Sequence, residues 1–152
     1  MEDTKELVSE LAEALVVCLQ YGKKILVCGN GGSAAMADHF VGELVGKFEK
    51  ERIPLAAISL NNIAVITAVA NDYDYDQVFA RQVQALGKPD DVLIVLSTSG
   101  KSKNCLTAIK TAQLLHMTVL DWPRTKGSTA QVQEFQLKLI HEVCRLVETA
   151  FV

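Results

Sequence analysis

His39 and Glu43 lie four residues apart, a spacing that puts an imidazole and a carboxylate on one face of a helix. Such a pair can ligate a metal ion, or hold a base beside its partner. It can also be an ordinary surface pair, but its helix directly follows a strand-end loop, which favours chemistry. Gln133 and His141 share a second predicted helix. Eight residues separate them by about 12 Å along the axis and ~80° around it. They serve one ion only if their helix passes close to the first, or if a neighbouring subunit supplies one of them. His116, the remaining histidine, has no acidic partner nearby and reads as structural.

Two small-residue turns accompany these groups. Gly29-Asn30-Gly31-Gly32-Ser33-Ala34 matches G-x-G-x-x-A, so a dinucleotide site has to be considered. That site needs an acidic residue closing the second strand, where Asn61 and Asn62 stand instead. No nucleotide cofactor is expected, and the P-loop spacing is absent. Ser97-Thr98-Ser99-Gly100-Lys101-Ser102 crowds four hydroxyls around a predicted helix start. Hydroxyls and free N–H groups there suit an anion, and the helix dipole favours a phosphate. Capping and a serine/threonine turn would explain one of these hydroxyls, not four.

The elements that must position these groups follow from periodicity. Leu7, Leu11, Leu15 and Leu19 predict a helix over 4–21. Ile25 to Cys28 is a short apolar run, as in a strand buried on both faces. Ser33 is a candidate N-cap for a helix to about Val45. Further strands are expected over 54–60, 91–96 and 117–120. Helices are expected over 61–70, 75–86, from the serine turn to about 115, and over 130–149. The alternation implies an α/β fold, a parallel sheet with helices on both faces. Ligands bind such sheets beyond the carboxyl ends of the strands, where both turns lie.

The chain of 152 residues is the size of one domain, 49% hydrophobic and 22% charged. A net charge of −3 argues against nucleic acid as a partner. No apolar stretch is long enough for a transmembrane helix, and the N-terminus lacks the features of a secretory signal. Cys18, Cys28, Cys105 and Cys144 show no CxxC spacing and are expected buried and reduced, in a cytoplasmic protein.

The segments CGNGGSAAMADHFVGEL, AVANDYDYDQVFARQVQALG, DVLIVLSTSGKS and TAQVQEFQLKLIHEVCRLVE occur in this order. Together they resemble the sedoheptulose-7-phosphate (phosphoheptose) isomerases of the sugar-isomerase, or SIS, domain superfamily. The resemblance runs from about Lys24 to Glu148. It implies a single SIS domain with a flavodoxin-like three-layer sandwich. By resemblance, Asn30, Gly31 and Gly32 bind substrate, as do Asn71 and Asp72. Ser97, Thr98, Ser99 and Ser102 hold its phosphate. His39, Glu43, Gln133 and His141 hold one zinc ion per subunit, and Glu43 and Gln133 also touch substrate. Glu43 and His141 are the acid–base candidates. The implied reaction converts sedoheptulose 7-phosphate to D-glycero-D-manno-heptose 7-phosphate, a precursor of lipopolysaccharide or capsule, in a cytoplasmic homotetramer.

The chain departs from that pattern in three places. Gln136 stands where many members have histidine. The N-terminus is shorter by roughly one helix. The span between Leu120 and Trp122 is shorter by about 15–20 residues, as though two parts of a longer chain were joined there, and cannot supply both a fourth and a fifth strand. Two other functions fit the same fold: association with the bacterial replication initiator, and sensing of a phosphosugar without turnover. Retention of Glu43 and His141 favours the enzyme over both.

Overall fold

A computed structural model describes residues 2–152. Four strands alternate with six α-helices. The strands are β1 (Ile25–Gly29), β2 (Ala57–Ser59), β3 (Val92–Leu96) and β4 (Thr118–Asp121). The helices are α1 (Glu2–Gln20), α2 (Gly32–Val45), α3 (Ile63–Asp72), α4 (Ala80–Leu86), α5 (Lys103–Leu114) and α6 (Thr129–Thr149). A single 3-10 turn, Tyr75–Gln77, precedes α4.

The sheet is wholly parallel, in the order β2-β1-β3-β4. Every residue of β1 and β3 is buried, because helices cover both faces of these central strands. Alternation along the strands divides the core in two. Ile25, Val27, Val92, Ile94 and Leu96 pack with α1, α2 and α6. Leu26, Cys28, Leu93 and Val95 pack with α3, α4 and α5. The result is the expected three-layer sandwich. The sheet order reverses direction between β1 and β3, so the crevice for a ligand opens at their carboxyl ends.

Three expectations are corrected. Ser33 is not the N-cap of α2. Gly31 holds that place, at φ +56° and ψ −120°, a conformation that glycine adopts without strain. Ser33 is buried, and its N–H is taken by the Asn30 carbonyl. The 54–60 strand shrinks to three residues at the sheet edge, where Ile58 is exposed. The helix expected over 75–86 begins as the 3-10 turn and becomes α-helical only at Ala80.

The segment 117–123 holds a single strand, β4. β4 passes directly into Trp122, whose N–H donates to the Val95 carbonyl. Trp122 is fully buried, edge-on to Phe40 with ring centroids 5.3 Å apart. Gln136, also fully buried, ties this joint to α6. Its Nε2 donates to the Pro123 carbonyl at 3.2 Å, and its backbone carbonyl accepts from Trp122 Nε1 at 3.3 Å. Position 136 is thus a packing and hydrogen-bonding position here. A capping box of Ser128 and Gln131 starts α6. No helix among the described residues is long and apolar enough to cross a membrane.

Candidate active site

Helices α2 and α6 lie in the same layer, packed through Met36, Phe40, Leu44, Leu139, Ile140 and Val143. This packing brings His141 to His39. Their Nε2 atoms are 2.9 Å apart, and the rings meet edge to face with centroids 5.1 Å apart. Glu43 Oε1 lies 3.3 Å from His39 Nε2. One ligand atom from each of His39, Glu43 and His141 falls within 4.8 Å of the others. His39 is exposed, and Glu43 and His141 are half-buried. Two imidazole nitrogens facing each other beside a carboxylate form a donor set that suits a divalent cation such as zinc.

Gln133 does not face the same neighbours. It lies two turns before His141 and packs on the start of α2. A Cβ on Gly32 would come within 2.5 Å of its Nε2. Gln133, Gly32, Met36 and Leu137 line a cleft of about 290 Å³. The structure therefore joins His39, Glu43 and His141 closely and puts Gln133 at the glycine-turn end of the same helix pair. A larger apolar groove of about 520 Å³ opens between α1 and the amino ends of the strands, beside Val17, Tyr21, Val92 and Thr118. It lies at the edge of the sheet opposite the turns.

The glycine turn is held from below. The Asn30 side chain forms a reciprocal amide pair with Asn104, at 2.9 and 2.8 Å. Its Oδ1 also accepts from the Tyr75 hydroxyl at 2.9 Å. Asn104 is buried in the first turn of α5, so this pair links the two turns. Gly31 and Gly32 are exposed and present their backbone. Asn61, found where a dinucleotide site would carry its acid, donates instead to the Ala34 carbonyl at 2.6 Å.

The serine turn uses its hydroxyls in two ways. Ser97 Oγ accepts from Gly100 N–H at 3.0 Å, and Ser99 Oγ from Lys101 N–H at 3.1 Å. Ser102 is the N-cap of α5, yet its hydroxyl makes no cap hydrogen bond among the described residues. The first N–H groups of α5 are therefore not capped by its side chain, an arrangement that suits an anion. Asn71 and Asp72 are exposed at the end of α3 and hydrogen-bonded to each other at 3.1 Å.

Sequence reasoning missed Asn104, Tyr75 and Arg124. Arg124 Nη1 donates to the Ser97 carbonyl at 3.4 Å, and a Cβ on Gly100 would meet its guanidinium carbon at 3.0 Å. Asp121 grips the same guanidinium with two bonds, at 2.7 and 2.8 Å, and this hydrogen bonding raises the Arg124 pKa. Asn104 had a readable signal: it is a polar residue on the buried Cys105–Ala108–Ala112 face of α5. Arg124 had none, since its place over Gly100 depends on the β4–α6 joint.

Comparison with known proteins places the chain in a family. The SIS domain family matches residues 1–120. The chain is 42% identical to phosphoheptose isomerase 1 of Campylobacter jejuni, over 99% of this chain and 90% of that protein. It is also 42% identical to the phosphoheptose isomerase of Helicobacter pylori, over 99% and 88%. The Campylobacter alignment runs over 167 positions against 152 residues here, so the relative carries residues that this chain lacks. Among solved structures, a phosphoheptose isomerase from Francisella tularensis superposes with a TM-score of 0.90 at 38% identity, covering 93% of this chain and 85% of that one. The phosphoheptose isomerase of Neisseria gonorrhoeae gives 0.88 at 34% identity, covering 97% and 90%.

Proposed function

Because the chain belongs to the SIS domain family and is similar over nearly its full length to phosphoheptose isomerases, we propose that it is an aldose–ketose isomerase converting sedoheptulose 7-phosphate to D-glycero-D-manno-heptose 7-phosphate. The observation that carries this reading is the meeting of Glu43 with His39 and His141 on helices that start from the substrate-side edge of the sheet. The product feeds heptose, lipopolysaccharide or capsule synthesis in the cytoplasm. Neither the initiator-binding nor the sensor alternative has a feature in its favour, since Glu43 and His141 are both present and adjacent.

The reaction moves a proton between C1 and C2 through an enediol. Glu43 takes the carbon-bound proton and returns it to the neighbouring carbon. His141 carries a proton between the two oxygens, a task suited to an imidazole near neutral pH. Ser97, Thr98, Ser99 and Ser102 hold the phosphate at the N-terminus of α5, and this remote anchor orients the reacting end. Asn30, Gly31 and Gly32, with Asn71, Asp72 and Gln133, bind the sugar. His39, Glu43 and His141, with Gln133 as a further ligand, would hold one zinc ion per subunit. Zinc bound there supplies a Lewis acid for the carbonyl oxygen.

The oligomer is a homotetramer. Its support on this chain is α3, a run of Ile63, Ala64, Val65, Ile66, Ala68, Val69 and Ala70 of which only Val69 is buried. Ile63 is 73% exposed. An apolar helix left this open on one chain calls for a partner surface.

An NMR time course with sedoheptulose 7-phosphate in D2O, run beside Glu43→Gln, tests the reading. An aldose phosphate carrying deuterium at C2, formed by the native protein and not by the variant, is the expected result. Absence of turnover by the native protein with zinc supplied would refute the isomerase. Equal turnover by the variant would remove Glu43 as the base.

A further inference from the structure

The loop after α2 is fastened from several directions, and one side chain carries its position into the site. The Phe48 ring stacks on His141, with centroids 5.6 Å apart and planes 26° from parallel. Glu148 is 99% buried, and its carboxylate accepts from the N–H of Glu49 at 3.1 Å through each oxygen and from that of Lys50 at 3.2 Å. Arg145 binds the Glu49 carboxylate through Nε at 3.1 Å and Nη2 at 2.8 Å, with its guanidinium carbon 5.5 Å from the Phe48 ring centre. Arg52 closes the other side, donating to the carbonyls of Glu43, Leu44, Gly46 and Ile53.

A carboxylate this buried is costly unless its acceptors are filled. Here they are filled by the backbone of a surface loop, which fixes the loop on α6 one and two turns beyond His141. From that footing Phe48 closes one face of the imidazole while His39 meets its edge. A His141 ring free to turn about χ2 would point Nε2 away from His39 in part of its population.

We propose that Phe48, anchored by Glu148 and Arg145, is a positioning residue that locks the His141 ring with Nε2 toward His39 and Glu43. The inference rests on the isomerase reading for its consequence in turnover, but not for its structural content. Phe48 touches no reacting atom; it acts through His141. Phe48→Leu therefore lowers kcat and leaves KM nearly unchanged, because the phosphate and sugar contacts lie elsewhere. Aromatic pairs of this kind correspond to roughly a two- to tenfold effect. Phe48→Tyr keeps the stacked ring and restores kcat.

The test pairs kinetics with the His141 ring signals in histidine-labelled, metal-free protein. Stacking under Phe48 shifts the carbon-bound protons of His141 upfield. The expected result is loss of that shift in Phe48→Leu, retention in Phe48→Tyr, and a partial loss in Arg145→Gln. The arginine is exposed, so this last variant reads the anchor even if Phe48→Leu folds poorly. His141 signals unmoved in both Phe48→Leu and Arg145→Gln would overturn the proposal. So would a Phe48→Tyr variant as impaired as Phe48→Leu. An inactive native protein would remove the isomerase reading, while the ring signals would still decide the placement of His141.

Discussion

His39 and His141 are 102 residues apart in the chain, and their Nε2 atoms stand 2.9 Å from each other. In the neutral pair one nitrogen donates and the other accepts. A divalent cation would take the Nε2 lone pair of each ring, with the donating ring in its Nδ1–H tautomer.

That relationship predicts a metal requirement that can be read without an activity assay. Zinc affinity, measured by chelator competition, falls in His39→Ala and in His141→Ala by more than the roughly 10–100-fold that loss of an outer partner costs. Native affinity in both variants would remove this cluster as the metal site.

Gly32→Ala separates the site from the fold. The three atoms nearest the new Cβ all belong to the amide end of Gln133, with Nε2 at 2.5 Å. A flexible amide can move aside, so the melting temperature should change by no more than about 2 °C. The displaced Gln133 should raise KM for the phosphosugar or lower zinc affinity. A variant with native kinetics and native zinc binding would show that Gln133 serves neither ligand.

Much of this was legible in the sequence, for identifiable reasons. The central strands are apolar runs that end in glycine or serine turns, and the i, i+4 spacing of His39 and Glu43 fixes a shared face wherever the helix goes. The N-cap of α2 was misread because serine is the commoner cap. Only the left-handed backbone at Gly31 reveals that glycine takes that role. The 3-10 turn at Tyr75–Gln77 was hidden by helix-compatible spacing, and its hydrogen bond to Asn30 is purely tertiary. The meeting of His39 with His141 was expected as one of two options, and packing between α2 and α6 decides it within a single chain.

Asp91 gives a pH dependence of stability. It is 99% buried at the amino end of β3. Burial alone would raise its pKa. Lys24 Nζ, the Lys24 N–H at 3.0 Å and the Lys88 N–H at 2.8 Å outweigh that and hold it below the ordinary carboxylate value. A depressed carboxylate contributes its stability fully above the unfolded pKa, near 3.9, and loses it as pH falls through the lower folded value. Denaturant unfolding should therefore show stability declining below about pH 4. Asp91→Asn should cost about 2–3 kcal/mol at pH 7 and flatten that decline. An unchanged acid profile in the variant would assign the decline to other groups.

The four cysteines should resist labelling. Burial first, and then the Asp91 carboxylate, push the Cys18 thiol up to about 11. Burial raises Cys144 further, with Glu43 adding to it. Cys28 is raised by its hydrogen bond to Cys105 and by burial, whereas Cys105 is lowered by the same bond. At pH 8 an aromatic disulfide reagent should modify Cys105 first, and slowly. All four thiols should react at once in denaturant. Rapid reaction of Cys18 or Cys144 in the native protein would contradict the burial.

The pairing of β1 with β3, from Ile25 opposite Val92 to Gly29 opposite Leu96, has a kinetic consequence. The glycine turn and the serine turn hang from the ends of these two strands, with β2, α3 and α4 all intervening in the chain. Closing so long a loop is entropically slow, and contacts of this separation form late. A nascent chain halted before Val92 can hold its first helix pair and edge strand but has no second wall for the crevice. Competence to bind a ligand is therefore acquired late, once β3 has paired with β1 and α6, which carries Gln133 and His141, has docked beside α2.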